Sequence, residues 1–177
     1  MKCEDVTFEE ARVEDAESLI AFMKESLSEP GLFVPLDADE YNADIEKERE
    51  KIRSFTQEEN SLFLFAKAKG QNIGMIDFRG LQRRALRHVT MLGICVHRDW
   101  RGRGVGNALL EHGIRWAREN PVVKRIELYT YLRNERAQHL YEKFGFVREG
   151  VRRRMVLFEG EYLDDVTMGL WVGEDVR

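Results

Sequence analysis

A glycine-rich turn at residues 101–106, RGRGVG, carries the first residues whose types and spacing could do chemistry. Glycine alternates with other residues along it, and arginines stand at Arg101 and Arg103. Glycines let successive backbone N–H groups point into one concavity, and a helix start after the turn adds unpaired N–H groups and a positive dipole end. The turn is therefore predicted to bind an anion such as phosphate. The structural alternative is a glycine-rich helix entry with solvated arginines.

Two common phosphate-binding motifs do not fit this turn. A P-loop ends in Gly-Lys-Ser/Thr, whereas Gly106 is followed by Asn107 and Ala108, so the lysine and the hydroxyl of magnesium-nucleotide chemistry are missing. A dinucleotide-binding GxGxxG motif needs another glycine spacing and an acidic residue about 20 positions further on. What the sequence does contain is Arg-x-x-Gly-x-Gly directly after a predicted strand.

A second pair of polar residues stands downstream, at Asn134 and Tyr141. Asn134 precedes a helix-forming segment, and Tyr141 follows it by seven residues, which is about two helical turns. The spacing predicts that both side chains face one cleft. The alternative for Tyr141 is an aromatic residue packed beside Phe144 and Phe146.

A mixed α/β sheet, rather than a strictly alternating doubly wound one, is predicted to position these residues. Period-2 runs and turn signals predict strands at 6–12, 61–68, 72–79, 89–96 and 126–130, one beginning at 145–147, and a closing hairpin of 155–158 and 162–171 turned at 159–161. Helical periodicity predicts helices at 14–27, 44–55, 104–120 and 135–144, the first ended by Pro30-Gly31 and followed by a loop at 32–41. The ligand is expected where the central strands diverge.

Composition predicts one globular domain spanning residues 1–177. With 43% apolar and 34% charged residues and a net charge of −4, the chain resembles neither a membrane protein nor a typical nucleic-acid binder, although arginines cluster near residues 83–87 and 152–154. Two cysteines, Cys3 and Cys95, form no disulfide framework, and the first residues lack a signal peptide, which favours the cytoplasm. The spacing of the four histidines predicts no metal site.

Together, the two motifs resemble those of the GNAT superfamily of N-acetyltransferases. The glycine turn resembles its acyl-CoA pyrophosphate loop, and the pattern that marks the second half of its acyl-CoA site is matched at Asn134, Ala137, Leu140, Tyr141, Gly145 and Phe146. The final segment at 161–168 is similar to the branch with spermidine, ribosomal-protein and phosphinothricin acetyltransferases. The resemblance implies a mostly antiparallel sheet, flanked by helices, that splays open at the cofactor site. It also implies acetyl transfer from acetyl-CoA to a primary amine by direct attack in a ternary complex, without a metal.

The resemblance also implies roles for individual residues. Ile94, Cys95 and Val96 match the splayed strand whose backbone pairs with the pantetheine amides. The loop around the pyrophosphate is matched, after its leading residue Arg101, by Gly102, Arg103, Gly104, Val105, Gly106 and Asn107. Asn134 matches the contact to the pantetheine arm, and Tyr141 matches the residue beside the cofactor sulfur.

The reaction itself favours Tyr141 as the general acid. The leaving thiolate has a pKa near ~8.5 by analogy with cysteine, and a phenol with a pKa of about 10 can hydrogen-bond to it or protonate it. A base is harder to find, because Tyr129 stands where peptide-acetylating relatives carry a glutamate. Glu127, two residues away on the same face, is one candidate, and a water chain is the other.

The acceptor is left open by the sequence. Acidic residues at Glu29, Asp37, Asp39 and Glu40 would suit a polyamine or another cationic amine, while a peptide N-terminus or a small antibiotic-like amine remain alternatives. Two other hypotheses are a catalytically silent acyl-CoA binding or sensing module, which would not require Tyr141, and an RNA-binding fold that uses the arginine clusters. The apolar final hairpin leaves room for a homodimer.

Overall fold

A computed structural model of the chain describes residues 6–29, 34, 36, 38–158 and 160–174. Within these residues the strands are β1 Val6–Glu10, β2 Leu62–Ala68, β3 Gln71–Gly80, β4 Val89–Val96, β5 Arg125–Tyr131, β6 Val147–Phe158 and β7 Glu161–Trp171. The helices are α1 Ala16–Leu27, α2 Ile45–Gln57, α3 Val105–Glu119 and α4 Glu135–Lys143. No helix in the described ranges is both long enough and apolar enough to cross a membrane.

All of these strands join one sheet, in the order β1-β2-β3-β4-β5-β7-β6. Every neighbouring pair is antiparallel except β4 and β5, which are parallel. β4 pairs with β3 as far as Val96, but with β5 only as far as Met91 opposite Glu127. Beyond that point the two strands diverge. We call the gap between 92–96 of β4 and 128–131 of β5 the open seam, and it confirms the splayed, mostly antiparallel sheet implied by the resemblance.

The two faces of the sheet are covered by different helices. On one face, α3 and α4 pack on a core that includes Ile126, Leu128 and Met168. On the other face, α1 and α2 pack on a second core around Phe63, Phe65 and Met75. β6 and β7 expose apolar side chains such as Val147, Leu157 and Tyr162, so the helices leave part of this end of the sheet uncovered.

The predicted elements agree with the structure to within a few residues at each end, with one difference. The sequence predicts two separate strands, from 145–147 and at 155–158, but β6 runs unbroken from 147 to 158. Its pairing with β7 shifts register between Arg152 and Val156, and Arg154 adopts a φ of 53° there. A bulge thus absorbs the arginine run that interrupts the alternation in the sequence. The predictions at Cys3, Pro30-Gly31, Asp37, Glu159 and part of the 32–41 loop lie outside the described residues.

Candidate functional site

A cleft of about 670 Å³ lies along the open seam and reaches the start of α3. Its walls come from β4, the glycine turn, the end of β5 and one side of α4. Of the residues predicted to bind the cofactor or to act as the acid, all but Arg103 and Val105 line it, namely Ile94, Cys95, Val96, Arg101, Gly102, Gly104, Gly106, Asn107, Asn134 and Tyr141. The two motifs, although separate in sequence, therefore meet at one place.

The backbone of β4 presents hydrogen-bonding groups to this cleft. The N–H of His97 donates to the Ile73 carbonyl of the β3 side at 2.9 Å. The backbone N–H and C=O groups of successive residues point to alternate sides of a strand. Those of Cys95 and Gly93 therefore also point toward β3, while the N–H groups of Ile94 and Val96 point into the open seam. Because β5 has already diverged, these N–H groups are positioned to bind a ligand in the cleft.

Cys95 forms part of the wall but directs its groups elsewhere. Its backbone faces β3, and its thiol packs in the second core with Phe63, Phe65 and Met75. Burial raises the pKa of the Cys95 thiol, which keeps it protonated. The backbone pairing that the resemblance implies for this strand is therefore available at Ile94 and Val96 rather than at Cys95.

The glycine turn folds as its composition predicts. Gly102 and Gly104 have φ values of 76° and 88°, a region that a Cβ atom disfavours. The first bond of the α3 ladder runs from the N–H of Ala108 to the Gly104 carbonyl at 3.0 Å. The N–H groups of Val105, Gly106 and Asn107 therefore precede that ladder and lie at the positive end of the helix dipole, as an anion site requires.

The arginines of the turn are arranged differently from each other. The Arg101 guanidinium donates to Glu29 at 2.6 Å and to the Val96 carbonyl at 2.8 Å, so two partners from the chain hold it. Arg103 lies over the Trp100 ring, with 5.5 Å from its guanidinium carbon to the ring centroid. Glu29 is buried against Arg101, which gives its carboxylate a structural partner and leaves it no open face toward an acceptor.

Val105 contributes to the turn only through its backbone. Its side chain is 1% exposed and packs in the core. The Val105 side chain packs closely against Gly74 of β3, where an ideal Cβ would lie 3.3 Å from it. This contact fixes the start of α3 against the sheet, so the direction of the first helical N–H groups follows from core packing.

Asn134 and Tyr141 meet in the cleft, as their spacing predicts. The Asn134 side chain caps α4 by accepting the N–H of Ala137 at 3.2 Å, and its amide donates to the Thr130 hydroxyl at 3.4 Å. Tyr141 is buried, with its ring centroid 5.7 Å from that of Phe146. Burial raises the pKa of the Tyr141 phenol to about 12, so the hydroxyl is a donor at neutral pH.

Three basic residues of α4 were missed by the sequence reasoning. Arg136, His139 and Lys143 line the cleft, and an Arg136 terminal nitrogen lies 3.6 Å from an ideal Cβ at Gly102 of the glycine turn. Their spacing of three and four residues on the helix that carries Tyr141 would have been the signal. Arg136 thus places a positive charge beside the glycine turn.

The proposed base Glu127 lies on the opposite face of the sheet from α3 and α4. Its carboxylate accepts the Tyr129 hydroxyl at 2.6 Å and an Arg125 guanidinium nitrogen at 3.0 Å. The hydrogen bond to Glu127 raises the pKa of Tyr129. Both oxygens of Glu127 are therefore engaged. Among the described residues, no group of three His, Cys, Asp or Glu side chains is arranged to hold a metal ion.

The model of the acetyltransferase (GNAT) family matches residues 21–146, a range that includes the open seam, the glycine turn and α4. The chain belongs to the GNAT family. A GNAT acetyltransferase of Streptococcus pneumoniae has the same fold, with a TM-score of 0.90 at 30% identity over 95% of this chain and 99% of that one. A phosphinothricin acetyltransferase of Sinorhizobium meliloti in complex with AcCoA superposes with a TM-score of 0.83 at 20% identity, over 96% and 90% of the two chains.

Among curated proteins, the GNAT chain is similar to the L-amino acid N-acetyltransferase AaaT of Escherichia coli K12. The two are 37% identical over 101 residues, which is 57% of this chain and 62% of the relative. The matched region thus covers less than two thirds of that relative's length.

Proposed function

We propose that this GNAT chain is an acetyl-CoA-dependent N-acetyltransferase that transfers the acetyl group to a primary amine by direct attack in a ternary complex. The observation that carries the proposal is the open seam beside the glycine turn, where β4 pairs with β3 through Val96 but with β5 only through Met91. A strand edge followed by an anion-binding helix start suits a long ligand with amides in its middle and a diphosphate at one end.

The end of the cleft at the glycine turn fits the nucleotide part of acetyl-CoA. The N–H groups of Val105, Gly106 and Asn107 would hold the pyrophosphate without needing an arginine side chain. Arg136 and Lys143 add positive charge beside them. Arg101 acts indirectly in this proposal, because its guanidinium is bound to Glu29 and to the end of β4.

The part of the cleft along β4 would hold the pantetheine arm and the thioester. The N–H groups of Ile94 and Val96 suit the pantetheine amides and the thioester carbonyl, and Asn134 lies across the cleft from them. An N–H that faces the carbonyl oxygen stabilises the negative charge that develops when nitrogen attacks. Most of the acceleration would come from holding the amine and the thioester together.

Tyr141 is proposed to donate its hydroxyl proton toward the departing sulfur. The phenol is protonated at neutral pH because burial raises its pKa to about 12. The same dry surroundings make an unpaired thiolate costly, so a hydrogen bond from Tyr141 lowers the barrier to C–S cleavage.

The acceptor is proposed to be a primary amine of a small molecule or peptide. The name of the E. coli relative, L-amino acid N-acetyltransferase, supports a small amine. A cytoplasmic location agrees with a buried free thiol at Cys95. A homodimer is also proposed, because β6 and β7 expose apolar side chains that a second copy of the chain could cover.

The test is acetyl-CoA turnover, measured by free-thiol release over a panel of amines that includes amino acids, polyamines and peptide N-termini. Tyr141→Phe should lower kcat at least tenfold while the affinity for CoA stays within about twofold. If none of the amines in the panel supports turnover although CoA binds tightly, the silent acyl-CoA binding module is favoured instead. An unchanged kcat in Tyr141→Phe would remove Tyr141 as the acid.

A further inference from the structure

Asp77 is a carboxylate of the central sheet that the proposed chemistry does not yet use. It lies on β3, directly opposite Gly93 of β4 in the antiparallel register. An ideal Cβ at Gly93 would lie only 2.6 Å from the Asp77 Oδ1 atom. The Asp77 carboxylate therefore extends across β4 above Gly93, which only a residue without a side chain permits.

This position lies beside the open seam, on the face away from α3 and α4. Asp77, Gly93 and Glu127 all belong to that face, as the paired residues Met91 and Glu127 show. Pairing between β4 and β5 ends at Met91, so the gap opens at the level of Gly93. With strands about 4.8 Å apart, the carboxylate above Gly93 is within roughly one strand spacing of that gap.

Two residues of the cleft wall belong to this second face. Besides the cofactor-side residues, the cleft is lined by Cys95, whose thiol packs toward α1 and α2, and by Val34, which precedes α2. An amine could therefore meet a thioester in the open seam from the Asp77 side. The two substrates would then approach from opposite faces of the sheet, and neither would block the other.

The Asp77 carboxylate is available for proton transfer. Among the described residues, no group forms a hydrogen bond or an ion pair with it, although the residue is only partly exposed. Burial raises its pKa to about 6, against the opposing effect of two cations, Lys51 of α2 and Arg79 of its own strand. Lys51 is paired with Glu48 at 3.3 Å, and the Arg79 guanidinium lies over the Phe55 ring.

Two other carboxylates on this face of the sheet, Glu127 and Asp165, are bound to partners. Glu127 is held by Tyr129 and Arg125, and Asp165 forms a two-point pair with Arg152. Carboxylate oxygens that already accept hydrogen bonds from a guanidinium or a hydroxyl are less open to an incoming ammonium group. Asp77 is thus better placed to act as a base than Glu127, the candidate that the sequence offered.

We propose that Asp77 is the general base for the acceptor, removing one proton from the attacking ammonium group directly or through one water; this inference rests on the proposed N-acetyltransferase function. The neutral nitrogen then attacks the thioester carbonyl carbon, forming the C–N bond. The C–S bond breaks, and the sulfur leaves as a thiolate that takes a proton through Tyr141. The nitrogen loses its second proton as the amide forms, and this loss matches the proton that the thiolate takes up. The first proton passes from Asp77 to solvent.

The test compares wild type and Asp77→Asn with two amines. With a strongly basic amine, which is protonated at neutral pH, kcat/KM should fall about 100-fold or more in Asp77→Asn. With trifluoroethylamine, a weakly basic amine that is already neutral at pH 7, the loss should be below about tenfold. The pH profile of kcat/KM should lose its acid limb near pH 6 in the variant.

Glu127→Gln is the matched comparison, because it neutralises a neighbouring carboxylate on the same face; its pH profile should keep the acid limb. Equal losses with both amines in Asp77→Asn would show a structural role and overturn the proposal, as would a retained acid limb. If wild type itself turns over no amine, the proposed function fails. If wild type is active and Asp77→Asn keeps wild-type kcat/KM with the strongly basic amine, only the role of Asp77 is overturned.

Discussion

Asp77 should cost the protein stability at neutral pH, and its replacement by asparagine should recover that stability. Its pKa is 3.8 in a model peptide and about 6 in the folded chain. Below both values the residue is protonated whether the chain is folded or unfolded, and it costs nothing. As the pH rises between them, the unfolded chain ionises first, so the folded state loses stability until the pH exceeds about 6.

The size of the effect follows from this difference in pKa. A difference of roughly 2.2 units corresponds to about 3 kcal/mol when the pH lies well above both values, and to about 1 kcal/mol near pH 4.5. Asparagine does not ionise, so Asp77→Asn should gain up to these amounts, less the cost of burying its amide. For a chain of this length, 3 kcal/mol corresponds to a rise of very roughly 6–12 °C in Tm.

Denaturant unfolding at both pH values measures this gain. The gain in free energy of unfolding should be larger near pH 7.5 than near pH 4.5 by about 2 kcal/mol, whereas Glu127→Gln should show no such gain. A variant that is destabilised equally at both pH values would refute the reasoning, since it would mean that the carboxylate makes a stabilising contact. The expected combination of a more stable protein and a slower enzyme is typical of a strained functional group.

Three further changes probe the cofactor side. Gly104→Ala places a side chain at a φ of 88° in open space, so it should lower the free energy of unfolding by about 1–2 kcal/mol and weaken acetyl-CoA binding severalfold, as measured by calorimetry. The control is Gly70→Ala in the β2–β3 turn, which is equally strained and should leave the affinity for acetyl-CoA unchanged. Glu29→Gln leaves Arg101 without its buried counter-ion and should lower the free energy of unfolding by about 2 kcal/mol, while the order of the amines by kcat/KM stays the same. A changed order in a variant of wild-type stability would show that Glu29 contacts the acceptor. Arg136→Ala should raise the Kd for CoA a few fold and flatten its dependence on salt, and an unchanged salt dependence would place the phosphates elsewhere.

The parts of the site that local sequence determines were predictable. The glycine turn, the start of α3 and the shared face of Asn134 and Tyr141 depend on residues within two helical turns of each other. Contacts between distant residues were not. Glu29 and Arg101 are 72 positions apart, and the sequence offered both for binding ligands, whereas in the structure they bind each other. Asp77 was overlooked because its position depends on a glycine in the neighbouring strand.

Side chains bind backbone carbonyls at the end of each strand that borders the open seam. On the β4 side, the Val96 carbonyl accepts from Arg101, and Glu29 fixes that guanidinium. On the β5 side, the Gln138 amide donates to the Tyr131 and Leu132 carbonyls at 3.2 and 2.8 Å.

A parallel pair would otherwise gain ladder hydrogen bonds by closing, since buried backbone groups rarely stay unpaired. With the ends of both strands already bonded to side chains, closure would have to break those bonds first. The residual unpaired donors, the N–H groups of Ile94 and Val96, are then the groups that a ligand in the seam can satisfy. In the proposed complex with acetyl-CoA, the Arg101–Glu29 pair would therefore contribute to binding by holding the seam apart, although the Arg101 guanidinium is itself bound within the chain.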